Sequence, residues 1–141
     1  MYIISEKNVR KIANSKLAFD AVTTAYIAAY NETGKTFPVV IAKGCDDGNS
    51  FSIKSGHLSN ERLSGYKSGS YWKENHLKGL PNHSSTIVLL DEETGITEAV
   101  INAGYLNGLR TAAANAVATN QLARAESKVL GVLGAGHQSI F

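Results

Sequence analysis

The 141 residues carry 14 Lys and Arg against 12 Asp and Glu, a net charge of +2, with 43% hydrophobic and 18% charged residues. This describes one folded domain with a genuine core and excludes a disordered chain. The basic residues are dispersed, which excludes the charged stripe of a nucleic-acid binder, and no apolar run is long enough to cross a bilayer.

Met1-Tyr-Ile-Ile-Ser-Glu-Lys lacks a basic segment followed by a long apolar run, so no signal peptide is expected. Cys45 is the single cysteine, so no internal disulfide can form, and a reducing, cytoplasmic setting is expected. Tyr2 to Ile4 reads as a short strand. Ser5 is a plausible N-cap for a helix leading to Val9 and Ile12. A longer helix is predicted from about Lys16 to Glu32, with Leu17, Val22, Tyr26, Ala29 and Tyr30 near helical spacing and Gly34 as its stop.

From Phe37 the period becomes strand-like. Phe37–Ala42 is β-rich, Asp46-Asp47-Gly48-Asn49 is turn chemistry, and Phe51–Ser55 alternates, with Lys54 on the polar side. Leu63–Trp72 is a further strand, in which glycines flank Lys67 at close range. A loop is predicted over Asn75–Ser84. Ser85–Leu90 and Ile96–Ile101 form a hairpin around Asp91–Gly95. Asn107 reads as the N-cap of an alanine-rich helix over Gly108–Arg124, which places Arg110 in its first turn. A cation at that end opposes the helix dipole, so either an anionic ligand shared with the helix end or simple exposure to solvent accounts for it.

Val129–Leu133 is a short apolar run that predicts a buried strand. Gly134-Ala135-Gly136 then breaks it, and His137-Gln138-Ser139 opens a helix. Strand, glycine turn and helix is how a dinucleotide-binding unit starts. The first glycine permits the turn, the second lets backbone approach a pyrophosphate, and Ser139 is small enough for the third position. The acidic residue for the ribose would come about 20 residues later, so the chain reads as the front of a larger enzyme. By itself a GxGxxS pattern is weak, because such a turn need bind nothing.

A lysine on a strand is usually solvated, and that reading stands for Lys54 and Lys67. The alternative is that Lys67, Arg110 and Lys54 form a cationic pocket for a carboxylate beside a nicotinamide. His83 is open to two readings, a general acid or a hydrogen-bonding loop residue. There is no HExxH, no paired cysteine and no His/Asp cluster to support a metal site, and no GxSxG for a serine hydrolase.

Several segments occur in order: Gly65-Tyr-Lys67-Ser-Gly69, Gly79-Leu-Pro-Asn82, Leu89-Leu-Asp91-Glu-Glu-Thr94-Gly95, Tyr105-Leu-Asn-Gly-Leu-Arg110-Thr111-Ala-Ala113, Leu122-Ala-Arg124 and Gly134-Ala-Gly136-His-Gln138. Together they resemble the ornithine cyclodeaminase/mu-crystallin family over essentially the whole chain. The resemblance implies an α+β substrate-binding and dimerisation domain, with helices packed on a mostly antiparallel sheet, over residues 1–126. Residues 127–141 would be the first strand and glycine turn of a truncated NAD(P)-binding Rossmann α/β domain. It implies a homodimer whose sheets join across a two-fold axis, and NAD or NADP as cofactor.

The resemblance further implies that Lys67 and Arg110 hold the substrate carboxylate, with Lys67 catalytic. Thr111 would lie near the cofactor phosphates, and Gly134, Gly136, His137, Gln138 and Ser139, with Arg110, would face the cofactor. Members often carry an arginine just after the proline matching Pro38. Here that stretch is Pro38-Val39-Val40, and Lys54 stands on the next strand, in a segment where many members have Met-Pro-Ala. With Tyr71-Trp72 and His83-Ser84-Ser85-Thr86, this looks closest to the iminosuccinate reductase branch, with Lys54, His83 or Ser84 taking a second carboxylate. The expected activity is NAD(P)H-dependent reduction of a small imino acid, iminosuccinate to aspartate, in the full-length parent, with the 141-residue chain alone inactive. Ornithine cyclodeamination and mu-crystallin-like binding of NADPH and a small ligand are the alternatives.

Overall fold

The structure is a computed structural model that describes residues 1–141. Its elements in chain order are β1 (Tyr2–Ile4), α1 (Glu6–Ile12), α2 (Ser15–Tyr30), β2 (Gly34–Thr36), β3 (Val40–Lys43), β4 (Ser50–Leu58), β5 (Leu63–Tyr71), β6 (His83–Leu90), β7 (Thr97–Asn102) and α3 (Gly104–Leu122), with single 3-10 turns at Asn75–Lys78 and His137–Ile140. The strands form one seven-stranded sheet in the order β1-β7-β6-β5-β4-β2, and β3 also pairs with β4. Only β1–β7 is parallel. The α+β fold with helices on a mostly antiparallel sheet is the one expected.

Local chemistry explains most boundaries. Ser5 Oγ accepts from the Asn8 N–H, and Asn14 Oδ1 accepts from the Leu17 N–H, so each of the first two helices starts on a side-chain cap. The predicted strand Phe37–Ala42 is shortened at its start: β2 ends before it, at Thr36, and β3 begins only at Val40. Pro38 brings no N–H to a ladder, and β2 and β3 pair separately with the two halves of β4. Gly34 does not stop α2; it opens β2, where a side chain would press on Ala28 and Leu58. The predicted loop Asn75–Ser84 is shorter, because β6 already begins at His83.

Two expectations fail more fully. The last helix starts at Gly104, not Gly108. Its N-cap is Ala103 and makes no side-chain cap bond, while Asn102 Oδ1 accepts from the Gly104 N–H. Asn107 therefore lies inside the helix, its side chain committed elsewhere, and Arg110 is in the second turn, where the dipole argument loses its force. Val129–Leu133 forms no strand. It has no sheet to join, and Val129, Leu130 and Leu133 are 91%, 77% and 104% exposed; an isolated strand leaves its ladder groups unpaired.

The helices cover one face of the sheet. Ala99 and Ser85 on that face are buried, as are Val9, Ala103, Leu109, Ala113 and Val117. The opposite face is open and carries Ile53, Tyr66, Val88 and Val100. No helix is long and apolar enough to cross a membrane.

Candidate active site

Strand alternation places Lys54 and Lys67 on the helix-covered face, directly opposite each other on β4 and β5. Lys67 Nζ donates to Asn107 Oδ1 at 3.1 Å. Arg110 reaches the same oxygen, with Nε at 3.2 Å and Nη2 at 2.6 Å. One neutral amide oxygen thus gathers two cations, from the sheet and from α3. Burial lowers the Lys67 pKa, and the charges of Arg110 and Lys54 lower it further.

His83 opens β6 on the same face. Its position depends on the preceding loop. Asn82 Oδ1 accepts from the His76 N–H at 2.8 Å, Asn82 Nδ2 donates to the Lys73 carbonyl at 3.0 Å, and the Trp72 N–H donates to the Asn82 carbonyl at 2.8 Å. Gly79, at φ 68°, lets the chain turn back. Burial lowers the His83 pKa, with Lys67, Arg110 and His137 adding to the effect, which favours the neutral imidazole.

Lys67 and Asn107 lie between two cavities. One, of about 610 Å³, runs under α2 and is lined by Ala25, Ala29, Lys54, Leu58, Lys67 and Leu89 among others. The other, of about 790 Å³, is bordered by Arg10, His83, Tyr105, Asn107, His137 and Gln138. Arg10 lies 4.3 Å from the centre of the Tyr105 ring.

Lys54, Lys67, His83 and Arg110 are therefore brought to one face of the sheet. Ser84 is not among them. It points to the open face, where its Oγ is 2.7 Å from Ser70 Oγ. Thr111 Oγ1 donates back to the Asn107 carbonyl at 2.7 Å. His137 and Gln138 border the larger cavity, while Gly134 and Gly136 stand clear of other atoms. Gly134 adopts the left-handed region, φ 94°. No three His, Cys, Asp or Glu side chains cluster as a metal site would require.

Sequence reasoning missed two residues. Asn107 reads as a helix cap, and only the hydrogen bond from Lys67 on β5 reveals its role. Ser85 is buried, and its Oγ has no hydrogen-bond partner. Its spacing of two from His83 on a strand was the available signal.

The profile of the ornithine cyclodeaminase/mu-crystallin family matches residues 2–141. The chain belongs to this family. It is 37% identical over its whole length to the iminosuccinate reductase of Paracoccus denitrificans, of which it spans 44%. Its fold superposes on a crystal structure of the iminosuccinate reductase of that organism in complex with NAD+, with a TM-score of 0.93 at 35% identity, covering 99% of this chain and 43% of the other. It is similarly close to the Δ1-pyrroline-2-carboxylate reductase of Thermococcus litoralis in complex with NADH and L-proline, with a TM-score of 0.92 at 30% identity, covering 99% and 43%. An archaeal alanine dehydrogenase dimer with bound NAD gives a TM-score of 0.92 at 28% identity, covering 99% and 42%. The chain thus spans less than half the length of these family members.

Proposed function

We propose that this chain supplies the substrate-binding part of an NAD(P)H-dependent imine reductase that converts a small imino acid, iminosuccinate, to the amino acid, aspartate. The observation that carries this reading is the convergence of Lys67 and Arg110 on one oxygen beside His83. A carboxylate is a better acceptor than an amide, and an arginine fork suits it. The α-carboxylate of the substrate takes the position between the two cations, and Asn107 holds them ready for it.

Lys67 is the catalytic group. Its lowered pKa lets it donate a hydrogen bond or a proton to the imine nitrogen. On the same face, Lys54 or His83 takes the second carboxylate. Gly134, in the left-handed region, and Gly136 would carry the pyrophosphate of a dinucleotide. His137, Gln138 and Ser139 follow them, and with Arg110 and Thr111 of α3 they would face the cofactor. NAD or NADP, when bound, supplies the hydride.

We further propose that residues 127–141 begin the dinucleotide-binding part, and that the open face of the sheet joins a second copy in a homodimer. Tyr66 is 39% and Val40 55% exposed there, beside half-buried Ile53, Val88 and Val100. Tyr66, Val88 and Val100 make an apolar row across β5, β6 and β7, beside the polar row Ser68, Thr86 and Asn102, and an uncovered row of this kind supports an interface.

The test is an assay of the full-length protein with NADH and with NADPH, on imines formed from oxaloacetate or pyruvate with ammonia, alongside ornithine with NAD+. Oxidation of the reduced cofactor that is faster with oxaloacetate supports the reading. Proline formed from ornithine with no net change in NADH would replace it with cyclodeamination.

A further inference from the structure

The row of residues next to the Lys54–Lys67 pair is Ser52, Gly69 and Ser85, paired in register across β4, β5 and β6 on the helix-covered face. Beyond it comes the row Ser50, Tyr71 and His83. Gly69 is buried at the centre of this arrangement. A Cβ placed on it would stand 3.7 Å from Lys67 Nζ, 3.7 Å from Ser52 Oγ and 3.8 Å from His83 Nε2. Three polar groups from three strands surround one point above the glycine.

Neither packing nor backbone explains a glycine here. A Cβ on Gly56 or Gly65 would run into the backbone oxygens of Lys35 or Val88. On Gly69 it would meet nothing closer than those three polar atoms, and its φ is not positive. A glycine inside a strand weakens it unless something approaches closely. Next to it, Ser85 is 4% exposed, and its hydroxyl is unpartnered. A buried hydroxyl left unpaired is costly, so it points to a partner that binds.

Resting on the function proposed above, we infer that Gly69 is the floor of a seat for the distal carboxylate of a four-carbon imino dicarboxylate, with Ser52, His83 and Ser85 as its donors. Lys67 lies between this seat and the Asn107–Arg110 pair, within reach of both ends of the substrate. A monocarboxylate imine would leave the seat unfilled. Gly69 and Ser85 are thus determinants of substrate length and charge.

The test compares wild type, Gly69→Ala and Ser85→Ala in the full-length protein. The readout is the ratio of kcat/KM for the oxaloacetate-derived imine to that for the pyruvate-derived imine. Both substitutions are expected to lower that ratio about tenfold or more. Calorimetric titration with succinate and with propionate gives a second readout, in which succinate binding weakens relative to propionate. Ser52→Ala serves if either variant does not fold. An unchanged ratio in folded variants, or equal losses on both imines, overturns the inference and leaves the reductase reading standing. If the wild type reduces neither imine, the reductase reading falls, and the titrations still decide the seat: succinate affinity unaffected by the substitutions overturns it.

Discussion

Lys54 and Lys67 stand directly opposite one another on neighbouring strands, with both side chains on the same face. Like charges so placed repel, which disfavours the sheet by roughly 0.2–1 kcal/mol, and a bound dianion would relieve the repulsion. Replacing Lys54 with Met is expected to raise the denaturation midpoint of the ligand-free protein and to weaken binding of a dicarboxylate. Urea unfolding with and without succinate measures both. A Lys54→Met variant that gains no stability and loses no affinity would show that the pairing is incidental.

Asn107 holds both cations through one oxygen. Asn107→Leu keeps the branched outline of the side chain but removes the acceptor, leaving Lys67 half-buried without a partner. The expected loss is about 1–3 kcal/mol in chemical denaturation. Turnover is expected to fall as well, because the two cations no longer share a fixed position. Rescue of stability, but not of turnover, by Asn107→Asp would separate charge from geometry.

His83 gives a pH signature. Its folded-state pKa lies below the ordinary value of 6.5, through burial first and then the charges of Lys67, Arg110 and His137. Between the two values the unfolded chain binds more protons than the folded one, so stability falls as pH drops through that window. His83→Gln should flatten this part of the curve. Urea midpoints between about pH 5 and pH 7 show it.

Lys67 is shifted in the same direction and acts at the alkaline end. Its folded pKa lies below 10.5, so in the window up to that value the unfolded chain again holds more protons, and stability rises with pH. Lys67→Met removes that rise. The same substitution should lower kcat/KM about a hundredfold, as expected for losing a charged hydrogen-bond donor.

The open face predicts assembly. Val88 and Val100 are cross-strand neighbours at its centre. Val88→Glu should convert a dimer to a monomer in sedimentation velocity without changing the far-ultraviolet circular dichroism. A dimer that survives the charge would place the interface elsewhere.

Much of this was legible from local chemistry. Alternation in Phe51–Ser55 separated Lys54 from Phe51 and Ile53, although only the fold shows that the lysine's side is the one the helices cover, and the Asp91–Gly95 turn marked its hairpin. There Asp91 Oδ1 accepts from the Glu93 and Thr94 N–H groups and from Thr94 Oγ1. What escaped depends on pairing between distant segments. Asn107 has the side chain of a cap, but a lysine forty residues away claims its oxygen. Ser84 and Ser85 are equivalent as composition, and only register puts one beside Gly69 and the other beside Ser70. Val129–Leu133 has the right composition for a strand and lacks the neighbours a strand needs.

The parallel pairing of β1 with β7 joins Tyr2–Ile4 to Ala99–Ile101. These are nearly the first and the last residues of the sheet in chain order. During synthesis the opening strand must wait, unpaired, until the last one has emerged, while β4, β5 and β6 zip up as local hairpins. Closing so long a loop is slow. The edge next to β7 is therefore the final part of the sheet to form, and an extension or tag fused at Met1 would interfere with the completion of folding rather than with its start.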